Sequence, residues 1–279
     1  MSCIKDAHSI QKKYHKMMKK YWRIRTTNNC NARCIFCHSE SANLKENNVF
    51  ISKEYLNHFV NNYIKLEDHV AITGGEPLLH PEIIEIINIV CHTESQNIHM
   101  NTNALLLEKY TFLIKETNLK NIHINLASIN TEVYEKIYGC RMIDLKIIDE
   151  ASAYFNIRIN CVILKSINDS LQNIKEMIEY STIHGVELAF IENHFDSLNF
   201  KSNGLLFQNH FESILHGFNY TLLHVEAGRK IYSHNGHQII IVAPCAPALA
   251  WNGNDNSDAF VVLENQTMKR FSIRGEVRI

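Results

Sequence analysis

Apolar positions along this chain switch repeatedly between two spacings. Leu56, Phe59, Val60, Tyr63 and Ile64 follow the i, i+3, i+4, i+7 rule, which predicts an amphipathic helix over 52–64 with Ser52 as its cap. His69–Thr73 then reads as a strand, and Pro81 stands at a first helical position before Ile83, Ile84, Ile86, Ile87 and Val90. The alternation continues with strand Ile98–Thr102, helix 105–117, strand Asn121–Leu126 and one or two helices in 131–154. Strand Ile157–Leu164, helix 171–183 and strand Val186–Glu192 complete it. With the short β-like run Trp22–Arg25 ahead of them, these make six βα units. Strands alternating with helices imply a parallel sheet, so the expected class is α/β, a partial (β/α)6 TIM-type barrel. Functional groups in such barrels gather at the C-terminal ends of the strands.

Boundaries follow from where the alternation stops. Residues 1–20 are lysine-rich and read as a basic N-terminal helix, either a solvated face or a contact for an anionic partner. Residues 21–200 hold the barrel. Residues 201–279 form a small C-terminal extension with strands at Gln238–Val242 and Ala259–Leu263, around the polar loop Asn252–Asp258, and are expected to close the barrel's open side. Composition adds limits: 279 residues, 46% hydrophobic, 20% charged and a formal net charge of −1 describe an ordinary globular chain without broad attraction for nucleic acid. There is no apolar run of membrane-spanning length and no signal-like N-terminus, and the thiols look free, so a cytoplasmic setting with no membrane partner is expected.

The chemistry begins in Thr26–His38, where Cys30, Cys34 and Cys37 stand at C-x₃-C-x₂-C spacing just after the first strand. Thiolates on one short loop suit an iron–sulfur cluster. Half a zinc site would need a second pair nearby, and no C-x-x-C or H-x₃-H follows at a suitable distance. Three cysteines on a four-iron cubane leave one iron open to another ligand. The second anchor is Gly74-Gly75-Glu76-Pro77 at the end of the next strand, where glycines permit close approach of backbone and Glu76 offers a carboxylate to an ammonium. By itself that tetrapeptide is an ordinary turn; its place one βα unit after the cysteine loop gives it meaning.

The cysteine motif, with aromatic Phe36 before the third cysteine, and the Gly74–Pro77 motif closely resemble the radical SAM superfamily. That resemblance implies one [4Fe-4S] cluster on Cys30, Cys34 and Cys37, and S-adenosyl-L-methionine on its open iron, cleaved by one electron to a 5′-deoxyadenosyl radical. Over residues 22–193 the chain is similar to the GTP cyclase of molybdenum-cofactor biosynthesis, the MoaA family, in Trp22–Asn31, Ile72–Leu79, Ile157–Val162 with Asn168-Asp169, and Phe190–Glu192. The resemblance implies that Phe36, Gly74, Gly75, Glu76, Pro77, Thr102, Asn125 and Asn160 contact S-adenosylmethionine; Asn125 and Asn160 read equally well as strand-end hydrogen bonders. Arg23, His80, Arg158 and Glu192 would face the substrate.

Departures narrow the expectation. His80 and Ala189 stand where those cyclases typically place arginine. Each lost cation removes a charge-assisted bond to phosphate worth about 1.5–3 kcal/mol. Residues 201–279 hold one cysteine, Cys245, against three in the cyclases for a second cluster. The expected activity is therefore hydrogen abstraction from a small organic substrate, such as a nucleoside or its monophosphate, in a specialised biosynthetic pathway, with a flavodoxin- or ferredoxin-type electron donor. A peptide-modifying enzyme of the same superfamily, or an inactive iron–sulfur homologue, is the alternative; the intact Cys30, Cys34, Cys37 and Glu76 argue against inactivity. The basic helix is too short for the usual peptide-docking domain.

Overall fold

The computed structural model describes residues 20–37, 49–193, 204–226, 229–242, 259–262, 268–271 and 277–278. The proposed N-terminal helix, the loop 252–258, Cys3 and Cys245 lie outside the described residues, apart from Lys20. The six expected units are present: β1 (Tyr21–Arg25), α1 (Lys53–Tyr63), β2 (His69–Thr73), α2 (Ile83–Cys91), β3 (Asn97–Thr102), α3 (Leu107–Ile114), β4 (Asn121–Asn125), α4 (Thr131–Tyr138), α5 (Lys146–Ser152), β5 (Asn156–Ile163), α6 (Leu171–His184) and β6 (Glu187–Glu192). Ser52 caps α1 as expected, its hydroxyl accepting from Tyr55 N–H at 3.1 Å. Pro81 does not begin α2. A 3₁₀ turn at Pro77–Leu79 intervenes, and the helix starts two residues later at Ile83. Between α4 and α5, Gly139 takes φ +63°, the left-handed cap that ends a helix without a Cβ clash.

The strands form one sheet of twelve in the order β12-β11-β10-β1-β2-β3-β4-β5-β6-β9-β8-β7. Strands β1 to β6 run parallel in chain order, a partial (β/α)6 barrel. The extension supplies α7 (Gly204–Gly217), β7 (Thr221–Glu226), β8 (Arg229–His234), β9 (His237–Val242), β10 (Ala259–Val262), β11 (Met268–Phe271) and β12 (Val277–Arg278). Its strands continue both edges: β9 lies parallel beside β6, and β10 parallel beside β1. Helix α7, hairpin β7–β8 and strands β11 and β12 add to the two strands expected there.

The two faces of the sheet differ chemically. One face carries Trp22, Ile24, Val70, Ile72, Met100, Ile122, Ile124, Ile159, Leu188 and Phe190, all buried. Trp22 packs edge-on against Phe59 of α1, and Phe190 against Phe211 of α7, which identifies this as the helix-facing side. Each such aliphatic side chain contributes about 1.5–3 kcal/mol on burial. The other face, which lines the lumen, runs Arg23, His99, His123, Arg158 and Asn160 across strands β1 to β5. Barrel interiors that only support themselves are filled with branched aliphatic residues. This lumen is polar instead.

Candidate active site

The site is built where β1 and β2 end. Beyond the strands the two backbones stay zipped: Thr26 N–H donates to Thr73 O at 2.8 Å, Gly75 N–H to Thr27 O at 2.8 Å and Glu76 N–H to Asn29 O at 2.7 Å. A Cβ on Gly75 would stand 2.1 Å from Asn29 O, and one on Gly74 2.8 Å from Thr27 O. The glycines therefore admit the backbone leading into the cysteine loop. On its far side the loop is pinned to the end of α4, with Arg33 N–H donating to Tyr138 O and Ile35 N–H to Ile137 O. Phe36 sits edge-on to Tyr138, their ring centroids 5.6 Å apart.

Cys30, Cys34 and Cys37 are half-buried on this loop. Burial pushes the Cys30 thiol up to about 11 and Cys34 up to about 12. A thiol so placed ionises only beside a strong positive charge, which the irons of a cluster provide. Ala32 N–H lies 3.5 Å from Cys30 Sγ and Asn103 Nδ2 3.8 Å from it, donors suited to thiolate sulfur. Among the described residues no three His, Cys, Asp or Glu side chains close on a single ion. A cubane spreads its thiolates over separate corners, so the donor set fits a cluster and not a compact mononuclear site.

Glu76 is buried and gathers its surroundings. Its Oε1 accepts from Thr102 Oγ1 at 2.7 Å and Leu78 N–H at 3.2 Å, and its Oε2 accepts from Asn103 N–H at 2.8 Å. Burial outweighs these donors and raises the carboxyl to about 7. The Thr102 hydroxyl donates to Glu76 and accepts from Ala104 N–H, so it shapes the carboxylate. Asn103, which the sequence puts with Thr102 at a strand's C-terminal end but to which it gives no role, proves central. It binds Glu76 through its backbone, Asn31 Oδ1 through its side-chain amide at 2.8 Å, and lies beside Cys30. Its one sequence signal was position, the residue after a strand's C-terminal end.

Asn125, the last residue of β4, and Asn160 are register partners on the lumen face. Asn160 Oδ1 is buried without a hydrogen-bond partner among the described residues, a group that a ligand would satisfy. Arg158 stands two residues below on the same face. Its Nη2 donates to His123 Nδ1 at 2.8 Å, and the His123 ring stacks on His99 at 4.0 Å. Arg23 lies level with His99 in the sheet.

Two residues expected to face substrate have other positions. His80 is buried, its Nδ1 accepting from Glu82 N–H at 3.1 Å and its Nε2 donating to Ile51 O at 3.0 Å, with Phe50 edge-on. Both ring nitrogens are engaged, and burial lowers its pKa, so it brackets residues 50–51 as a neutral ring. Glu192 falls in alternation with Leu188 and Phe190, on the row whose Phe190 packs against α7. Ala189 does line the lumen, level with Asn160.

The sequence pattern of the radical SAM superfamily matches residues 24–180, more than half of the chain. The chain belongs to that superfamily. It is 32% identical over 182 residues to the GTP 3′,8-cyclase of Aquifex aeolicus, covering 62% of this chain and 56% of that protein. It is 31% identical over 188 residues to the probable GTP 3′,8-cyclase of Methanococcus aeolicus, covering 65% and 62%. The chain thus spans little more than half the length of these relatives. In fold it resembles SuiB of Streptococcus suis bound to precursor peptide SuiA, with TM-score 0.66 and 14% identity over 94% of this chain and 62% of that one.

Proposed function

We propose that this enzyme uses a single [4Fe-4S] cluster on Cys30, Cys34 and Cys37 to cleave S-adenosylmethionine reductively and abstract hydrogen from a small organic substrate held in the lumen. The observation that carries the reading is the zipped pair of loops, which sets three thiols beside a buried carboxylate at the mouth of a polar barrel. A bound cluster would supply the electron for that cleavage. The chain's own groups do the positioning. Gly74, Gly75 and Pro77 fix the loop, Glu76 takes the methionyl ammonium, and Asn125 and Asn160 offer amides to the nucleoside end. Thr102 and Asn103 hold Glu76, and Phe36 steadies the cluster loop against Tyr138. Arg23 and Arg158 face the substrate.

The relatives' names say that they are GTP 3′,8-cyclases; for this chain the lumen argues for a less charged substrate. Ala189 contributes no cation, and His80 is neutral and turned to backbone partners. Losing two charge-assisted contacts at about 1.5–3 kcal/mol each weakens triphosphate binding by roughly two to four orders of magnitude. A nucleoside or nucleoside monophosphate in a specialised pathway fits better than GTP, and a flavodoxin- or ferredoxin-type protein serves as electron donor. Calorimetry with GTP on reconstituted, S-adenosylmethionine-loaded enzyme should show no micromolar binding. Micromolar affinity, or a cyclised guanine product, would restore the cyclase reading.

A further inference from the structure

Asn103 makes more bonds than its contact with Glu76 requires. Its backbone N–H donates to Glu76 Oε2 at 2.8 Å, a bond open to any residue that keeps its N–H. Its side chain, 5% exposed, is fixed separately. Asn103 Oδ1 accepts from Leu105 N–H at 3.0 Å, closing an Asx turn that settles the amide's orientation. The oxygen belongs to the turn, so the nitrogen points away from it. Of the two amide hydrogens, one goes to Asn31 Oδ1 at 2.8 Å and the other faces Cys30 Sγ, 3.8 Å from the nitrogen. Ala32 N–H approaches the same sulfur at 3.5 Å from within the cysteine loop. Next in the chain, buried Ala104 takes φ +63°, with its N–H on Thr102 Oγ1 at 3.0 Å. A residue with a Cβ holds that left-handed conformation only where its surroundings impose it, and such strain gathers at functional sites. The turn after β3 thus carries a strained residue and aims one amide at partners 72 and 73 positions earlier in the chain.

A donor to a ligating sulfur stabilises negative charge on it, and more so in the reduced cluster, which carries one electron more. Hydrogen bonds to the sulfurs are accordingly among the levers that set a cluster's reduction potential. We propose that Asn103 is a positioning residue for the cluster: its side-chain amide donates to the Cys30 thiolate and raises the reduction potential. The two halves of the residue divide the labour, with the backbone serving Glu76 and the side chain serving Cys30. Carboxylate and sulfur therefore hang on a single turn, whose shape the Asx bond and Ala104 fix. An aspartate here keeps the turn acceptor but presents an oxygen and a negative charge to the sulfur. A serine keeps a neutral acceptor for the turn and is one atom too short to take the amide's place. A rival role, a clamp on Asn31 that only holds the cysteine loop, predicts changes in cluster retention and none in potential. The proposal rests on the reading of Cys30, Cys34 and Cys37 as cluster ligands.

The test is a redox titration of reconstituted full-length protein without S-adenosylmethionine, followed by the electron paramagnetic resonance signal of the reduced cluster. Asn103→Ser should disfavour reduction about tenfold, a downward shift of about 59 mV for one electron. Asn103→Asp should move further in the same direction. Asn31→Ala, which breaks the clamp and leaves the amide donor, should keep the wild-type potential even where iron retention falls. A second readout uses wild type grown with asparagine carrying ¹⁵N in its side chain: pulsed resonance should show a ¹⁵N coupling to the reduced cluster. That coupling should vanish in Asn103→Ser and persist in Asn31→Ala, so the wild type and Asn31→Ala still decide the matter if Asn103→Ser loads no cluster. Equal potentials in wild type, Asn103→Ser and Asn103→Asp, or no ¹⁵N coupling in the wild type, overturn the proposal. Formation of 5′-deoxyadenosine by the wild type, measured in parallel, keeps the two claims apart. Cleavage with unshifted potentials sinks the role of Asn103 alone, shifted potentials without cleavage sink the radical reading alone, and a wild type that takes up no cluster sinks both.

Discussion

Glu76 is a carboxylate placed where water cannot reach it, and its titration follows from that. In the cluster-free protein the folded carboxyl titrates near 7, raised by burial above the ordinary 4.5. A group raised in this way contributes stability in full below its unfolded pKa and loses it as pH rises through the folded value. Over pH 4.5 to 7 the loss is about 3 kcal/mol for a shift of this size. Denaturant melts of wild type and Glu76→Gln across that window check this: the difference between them should shrink the wild type's relative stability as pH rises. A pH-independent difference would show that the three donors, not burial, set the charge. Asn103 stood in plain view as the residue after Thr102, yet nothing local marks an asparagine that bridges two distant loops. The histidines and arginine of the lumen were more legible. Asn97–Thr102, Asn121–Asn125 and Asn156–Asn160 read N-I-H-M-N-T, N-I-H-I-N and N-I-R-I-N, an alternation that marks one polar face on strands a packed barrel would make apolar throughout.

At the scale of elements, the continuation of β1 and β2 into paired loops is what aligns thiols and carboxylate. Gly75→Ala drives a methyl into Asn29 O, and backbone must shift to relieve it. Overpacking of this kind costs about 1–3 kcal/mol; the readout is iron retained after desalting, expected to fall sharply while far-ultraviolet dichroism stays native. Full iron retention would mean that the two loops are held independently. The glycines were expected to admit a ligand; the structure shows that they admit another stretch of backbone, a contact between segments no local pattern reports. The loop after β5 is a second device. Asn168, fully buried, donates to Ala127 O and Val162 O at 2.9 Å each and accepts from Leu164 N–H at 2.7 Å. Asn168→Ala leaves those buried groups unpaired and should destabilise the protein by about 2–4 kcal/mol in equilibrium unfolding. A loss below about 1 kcal/mol would show that water replaces the amide. Helices and strands of the barrel were read to within two or three residues because each repeats a strong periodicity. The hairpin β7–β8 was not counted, and hairpin β8–β9 turns at Asn235-Gly236, with φ +49° and +84°. That Asn-Gly pair is a hairpin signal present in the sequence.

Among the described residues the sheet has a polar lumen face and an apolar helix-facing side, and the extension continues both of its edges. Strand β9 lies beside β6, and β10 lies beside the strand that leads into the cysteine loop. Among the described residues no helix is long and apolar enough to cross a membrane. All of this serves one claim, that the thiols beside Glu76 support radical cleavage of S-adenosylmethionine. The direct measurement is chromatography of the products after anaerobic reconstitution and reduction in the presence of S-adenosylmethionine. The account predicts 5′-deoxyadenosine and methionine in equal amounts, formed slowly without substrate and not at all by Cys34→Ala. Methylthioadenosine or S-adenosylhomocysteine as the sole product, or 5′-deoxyadenosine formed equally by Cys34→Ala, would contradict it.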